Sequence, residues 1–86
     1  MRYTYQTKGT CSRAIAFDID ENEVVTNVEF TGGCNGNLKG IASLVDGMTG
    51  SEILAKCQGI TCGSKPTSCP DQLAQAILAA RAKMQA

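Results

Sequence analysis

The chain has 86 residues, which sets one domain as the prior and leaves little room for a large core. Eight basic residues balance eight acidic ones, so no basic field draws it to nucleic acid and no polybasic run favours a membrane surface. Apolar residues at 43% against 19% charged exclude a disordered tail, and the absence of histidine excludes an imidazole base or ligand.

The first third reads as β structure. Tyr3, Tyr5 and Thr7 alternate with Thr4 and Gln6, and Ile15, Phe17 and Ile19 alternate with Ala16 and Asp18. Val24, Thr26, Val28 and Phe30 form a third period-two face, with Val25, Asn27 and Glu29 opposite. The polar run DENE at 20–23 joins the last two strands as a hairpin, and Asp18, Asp20, Glu21 and Glu23 read as solvated. After TGGCNGN, Leu38, Ile41, Ala42 and Val45 fall on one helical face, with Gly47 placed to end it. Thr49 and Glu52 have capping-box spacing ahead of Ile53 and Leu54, and Gly59 closes that short helix. The loop GITCGSKPT follows. The last helix carries Leu73, Ala76, Ile77, Ala80 and Met84 as an apolar stripe. Strands first and helices after predict an α+β fold: a three-stranded antiparallel sheet with about three helices on one face.

Five cysteines are the distinctive supply of chemistry. Their odd number and an N-terminus, MRYTYQTKG, without an apolar signal core predict a reducing, cytoplasmic setting and thiol or metal chemistry rather than a disulfide framework. Cys34 precedes a helix among glycines, and Cys69 opens the last helix, with Ser68 at the N-cap position, Pro70 in the first turn and Asp71 at N3 spacing. Helix N-termini carry partial positive charge, which favours a thiolate, and the thiolate is both nucleophile and metal ligand. Cys57, beside Ile53 and Leu54, reads as a packing residue. The spacings of Cys57, Cys62 and Cys69 do not form the tight pairs of a zinc ribbon. Asp71 is a further ligand or base candidate, with a capping role as the plainer reading.

The stretch TSCPDQLA, with GTCSRAIAFDI and FTGGCNGNLKGIASLVDGM, resembles the TSCPD domain family over nearly the whole chain. That family includes short stand-alone proteins of this size, and related domains lie near the C-terminus of adenosylcobalamin-dependent ribonucleotide reductases. The resemblance implies a link to deoxyribonucleotide synthesis and labels such as ribonucleoside-diphosphate reductase and nucleotide binding. An 86-residue chain has no room for a reductase barrel, a cobalamin site and a substrate pocket, so a complete reductase is not expected and no cobalamin site is expected. A partner reductase or other protein is. More distantly, the layout is similar to NifU/IscU-type iron–sulfur scaffolds, which implies that Cys11, Cys34 and Cys69 converge at one end of the fold. Ser68 stands where those scaffolds carry histidine, and Cys62 could serve as a fourth sulfur ligand.

Three functional expectations follow. Cys11, Cys34, Cys62 and Cys69 hold zinc or an iron–sulfur centre. Alternatively, Cys62 and Cys69 form an exchanging thiol pair serving ribonucleotide reduction. The third reading is a structural or interaction domain whose cysteines only pack. An apolar sheet edge could pair two copies in a homodimer.

Overall fold

A computed structural model describes residues 1–10, 12–33 and 35–85. The chain runs β1 (Arg2–Gln6), β2 (Ser12–Ile19), β3 (Val25–Gly32), α1 (Asn35–Val45), α2 (Gly50–Cys57) and α3 (Cys69–Met84). The strands form one antiparallel sheet in the order β1-β2-β3. This is the α+β arrangement that strands followed by helices predict. No helix among the described residues is long and apolar enough to cross a membrane.

Alternation along β2 buries Ile15, Phe17 and Ile19 on the face that the helices cover. They meet Val25 and Val28 of β3, Val45 of α1, Ile53 of α2, and Leu73, Ala76, Ile77 and Ala80 of α3. Tyr3 tilts against Phe17 with ring centroids 5.9 Å apart. Each large side chain withdrawn from water in this way contributes about 1.5–3 kcal/mol, so a single continuous core is the main stabilising element of so short a chain. Leu73, Ala76, Ile77 and Ala80 of the expected α3 stripe are buried and Met84 is only partly covered, while Ala74 is buried in addition.

The third strand departs from the simple alternation. Val25 and Val28 are both buried, whereas Val24 and Thr26 are only partly covered. Asn27 is the reason. Its φ of 53° lies in the left-handed region, and the register between Ala16 and Asp18 slips there by one residue. An extra residue in one strand reverses which side chains face the core. The expected face Val24, Thr26, Val28 and Phe30 therefore holds only for its second half, Val28 and Phe30. Asn27 tolerates this conformation because its polar groups are used: its amide donates to Asp46 Oδ1 (3.0 Å), its Nδ2 to Asp18 Oδ2 (2.9 Å), and its carbonyl accepts from Arg2 (2.8 Å).

The polar hairpin is less solvated than its composition implies. Asp20 Oδ1 accepts from the amides of Asn22 and Val24, which closes the turn. Glu23, however, accepts from Arg81 Nε (3.0 Å) and a guanidinium terminal nitrogen (2.6 Å), tying the hairpin to α3. Asp18 likewise pairs with Arg2 and Asn27, and the Asn27 amide bond is the main influence holding its carboxyl below the usual aspartate range. At the start of α2, Thr49 and Glu52 form the expected capping box.

Asn27→Val should lower unfolding free energy by about 1–3 kcal/mol, because a β-branched residue resists positive φ. Asn27→Gly should cost clearly less. Urea unfolding of both variants checks this; equal losses would contradict the bulge account.

Candidate functional site

The start of α3 is built from the stretch Thr67–Gln72, and its polar members turn inward. Thr67, Ser68, Asp71 and Gln72 are all less than 10% exposed. Buried polar groups require partners, and these residues partner one another and two loops. Ser68 is the N-cap: its Oγ accepts from the Asp71 amide at 3.2 Å and donates to the Ile60 carbonyl at 2.7 Å. Asp71 does not reach back to complete a capping box. Its carboxylate accepts instead from the Gly59 amide (2.7 Å) and from the Thr67 hydroxyl. Gln72 Nε2 donates to Thr67 Oγ1 (3.0 Å), and its Oε1 accepts from the Lys8 amide (3.0 Å). One helical turn thus holds the loop after α2 and the loop after β1 together.

The Thr67 hydroxyl first, then the Gly59 amide, hold the Asp71 carboxyl below the usual aspartate range; Gln75 contributes less, and burial opposes them. Asp71 is therefore spent as an anionic clasp. This is a fourth role beside the expected ligand, base and cap, and it fixes the loop that carries Cys62.

That loop folds tightly. The Cys62 amide donates to Thr67 O (3.2 Å), the Lys65 amide donates to Cys62 O (3.0 Å), and Gly63 supplies a φ of 58°. The turn brings Cys62 back beside Cys69. Both line one small cavity of about 30 Å³, together with Thr10, Lys65, Thr67 and Ser68. Cys62 is exposed and Cys69 buried. The Cys69 thiol donates to Ser12 Oγ at 3.3 Å. Cys11 and Cys34, the other two expected ligands, lie outside the described residues. Among the described residues, no group of three or more cysteines or carboxylates is gathered as a metal cluster would require.

Cys57 stands apart. It is buried in the core, burial pushes its thiol up, and it lines a separate apolar groove of about 330 Å³ with Ile41, Leu44, Met48 and Pro70. This packing role matches the sequence reading. The groove is far larger than the thiol cavity, but Lys56 is the one ionisable side chain besides the raised Cys57 thiol in its described lining. The smaller cavity is the one whose lining brings sulfur, hydroxyl and amine side chains together.

Ser12 and Thr67 are the residues that composition alone does not single out. Alternation from Ile15, Phe17 and Ile19 places residue 13 inward, yet Arg13 is exposed and Ser12 is 3% exposed. A register slip between Ser12 and Ala14 reverses the phase. An arginine at a nominally inward position was the available signal for that bulge.

An α+β fold that gathers thiols at a polar helix start defines a small cysteine-bearing module. The chain belongs to the TSCPD domain family, whose model matches residues 2–81. No curated protein and no solved structure matches it, and the likeness to NifU/IscU-type scaffolds is not confirmed.

Because the folded-state pKa of Asp71 is lowered, its contribution is complete above about pH 5 and is lost as pH falls through the folded value. Asp71→Asn should therefore cost about 1–3 kcal/mol at pH 7 and progressively less toward pH 3. Urea unfolding in chelator and reductant at several pH values checks this. A deficit independent of pH would contradict the anionic clasp.

Proposed function

We propose that this chain is a thiolate metal-binding module that holds a single zinc ion through Cys62 and Cys69, with Cys11 and Cys34 completing the sulfur set. The observation that carries this reading is the cavity shared by Cys62 and Cys69. A volume of about 30 Å³ takes one or two water-sized spheres, the scale of a single ion. Four thiolates are a donor set that structural zinc accepts, and the chain contains no imidazole to compete for a position.

The residues around the cavity fit such a group. Ser68 and Asp71 hold the helix start and the Cys62 loop by hydrogen bonds that do not involve sulfur. When bound, zinc would supply a cross-link between loops in a chain too small to rely on its core alone. The role of Cys69 is to supply sulfur from the first turn of α3, and that of Cys62 is to close over it from the preceding loop. Asp71 acts on the loop and is not needed as a ligand.

Family membership supports an association with ribonucleotide reductase-type domains. In that setting the module would serve such an enzyme through assembly or stability, without carrying its radical chemistry. A second reading is favoured by the unequal exposure of the two thiols. An exposed Cys62 thiol beside a buried Cys69 is the arrangement of an exchanging dithiol. In that reading Cys62 attacks a partner disulfide, Cys69 displaces the partner's second thiol, and two electrons and the thiol protons pass to the reduced partner.

Protein purified without oxygen and under reducing conditions should contain near-stoichiometric zinc by elemental analysis. Cys62→Ser and Cys69→Ser should each lose most of it, and Cys57→Ser should keep it. Metal-free wild-type protein would overturn the metal reading. A reversible Cys62–Cys69 bridge in mass spectra of that protein would favour the exchange reading.

A further inference from the structure

Leu44 stands on the outward face of α1 and is 77% exposed, the most exposed large apolar side chain among the described residues. A single exposed leucine is ordinary. Its surroundings are less so. On one flank Leu44 forms the rim of the apolar groove with Ile41 and Met48, so its surface is continuous with that groove. One turn earlier stands Gly40, also exposed, where an added Cβ would meet nothing within 4 Å. Gly40 lies inside the helix and its φ is not positive, so neither packing nor backbone conformation within the chain requires a glycine. Glycine weakens a helix relative to alanine, and it is the residue expected where something outside approaches the backbone closely. The other flank carries Lys39 and Asp46, both exposed. They are seven residues apart, two helical turns and about 10 Å along the axis. Asp46 Oδ1 accepts from the Asn27 amide, and its second oxygen has no hydrogen bond among the described residues. Lys39 has no ion pair among them.

We propose that this face binds a second copy of the same chain, α1 against α1, antiparallel across a two-fold axis. The charges decide both occupant and direction. A parallel pair would set Lys39 beside Lys39 and Asp46 beside Asp46. An antiparallel two-fold passing between residues 42 and 43 sets each Lys39 against Asp46 of the second copy. The same axis seats each Leu44 over Gly40 and Ile41 of the second copy. The register that pairs the charges is therefore the register that fills the space above Gly40. One patch supplies knob, hole, cation and anion, as the self-complementary surface of a two-fold interface requires.

The packing follows from helix geometry. Leu44 enters a hole bounded by Asn37, Gly40, Ile41 and Leu44 of the facing helix, the four-residue arrangement of knobs into holes. The missing Cβ of Gly40 lets the leucine seat close to the backbone. Antiparallel helices also set opposite ends of their dipoles side by side. The apolar flank at Ile41 and Met48 then meets its own counterpart, which covers the open side of the groove. The surface is short, so the dimer is weak and reversible. It lies on α1 and not on the sheet edge that the sequence suggested, and it uses no sulfur and no metal.

Sedimentation equilibrium of the full chain tests this, in reductant and chelator so that neither a disulfide nor a metal can bridge two copies. Wild type should show a reversible monomer–dimer equilibrium in the micromolar range. Leu44→Glu and Gly40→Leu should each weaken it by at least about tenfold, because both act at the centre of the patch. Diluted to the monomer, Gly40→Leu should melt no lower than wild type, since leucine favours the helix and its Cβ meets no neighbour. Lys39→Glu should weaken the dimer several-fold, most at low salt. Amide NMR signals that move on dilution should cluster at residues 37–48. Circular dichroism identifies any variant that fails to fold, and Lys39→Glu and the dilution shifts then carry the comparison. Wild type that stays monomeric at about 1 mM would overturn the proposal. So would a dimer that Leu44→Glu and Gly40→Leu leave intact, or dilution shifts confined to other elements.

Discussion

Asp71 places a buried carboxylate in the first turn of α3, and the Gly59 amide and the Thr67 hydroxyl both aim their hydrogens at it. Much of the lower half of the molecule depends on that anion. Through Gly59 it fixes where the loop after α2 begins, and through Thr67 it fixes where that loop ends. Thr67 in turn receives Gln72, and Gln72 receives the backbone after β1. The helix stripe from Leu73 onward would pack on the sheet without this cluster, since its burial is apolar. The loops would not be held. A buried polar network of this kind stabilises only while every member is satisfied, which explains why several short polar side chains are spent on one helical turn.

The consequence for function is positional. Cys69 is a helix residue and inherits the rigidity of α3, whereas Cys62 belongs to a loop and owes its position to the clasp. The two thiols share a cavity because one element is rigid and the other is tied to it. The opposite side of the same turn, at Pro70, belongs to the apolar groove that also contains Cys57. The fold therefore sorts its described cysteines into two environments. One is apolar and raises the thiol pKa by burial; the other is polar and presents sulfur to hydroxyls.

Much of the fold was legible in the sequence where one physical rule acted alone. Period-two burial in β2, the capping box at Thr49, the N-cap at Ser68 and the α3 stripe each follow from local pattern, and each is found. The misses occur where a tertiary contact overrides the pattern. Asn27 and Arg13 mark bulges that reverse strand phase, so the inward set of β3 was half wrong and Ser12 was passed over. Glu23 reads as a solvated hairpin residue until α3 brings Arg81 to it from 58 residues away. Asp71 carries the spacing of a cap, but its carboxylate answers a loop amide twelve residues earlier, which no local rule encodes. At the site, the motif drew attention to Cys69 and to the sulfur set. The neighbours that hold Cys69 came from distant strands and could be read only after folding.

The central claim is that this helix start and its adjoining loop present sulfur to one zinc ion. Zinc-edge X-ray absorption on the zinc-loaded full chain tests it most directly. The account predicts a first shell dominated by sulfur at about 2.3 Å, with no zinc–iron or zinc–zinc scattering beyond it. A shell of oxygen or nitrogen alone, at about 2.0–2.2 Å, would contradict it.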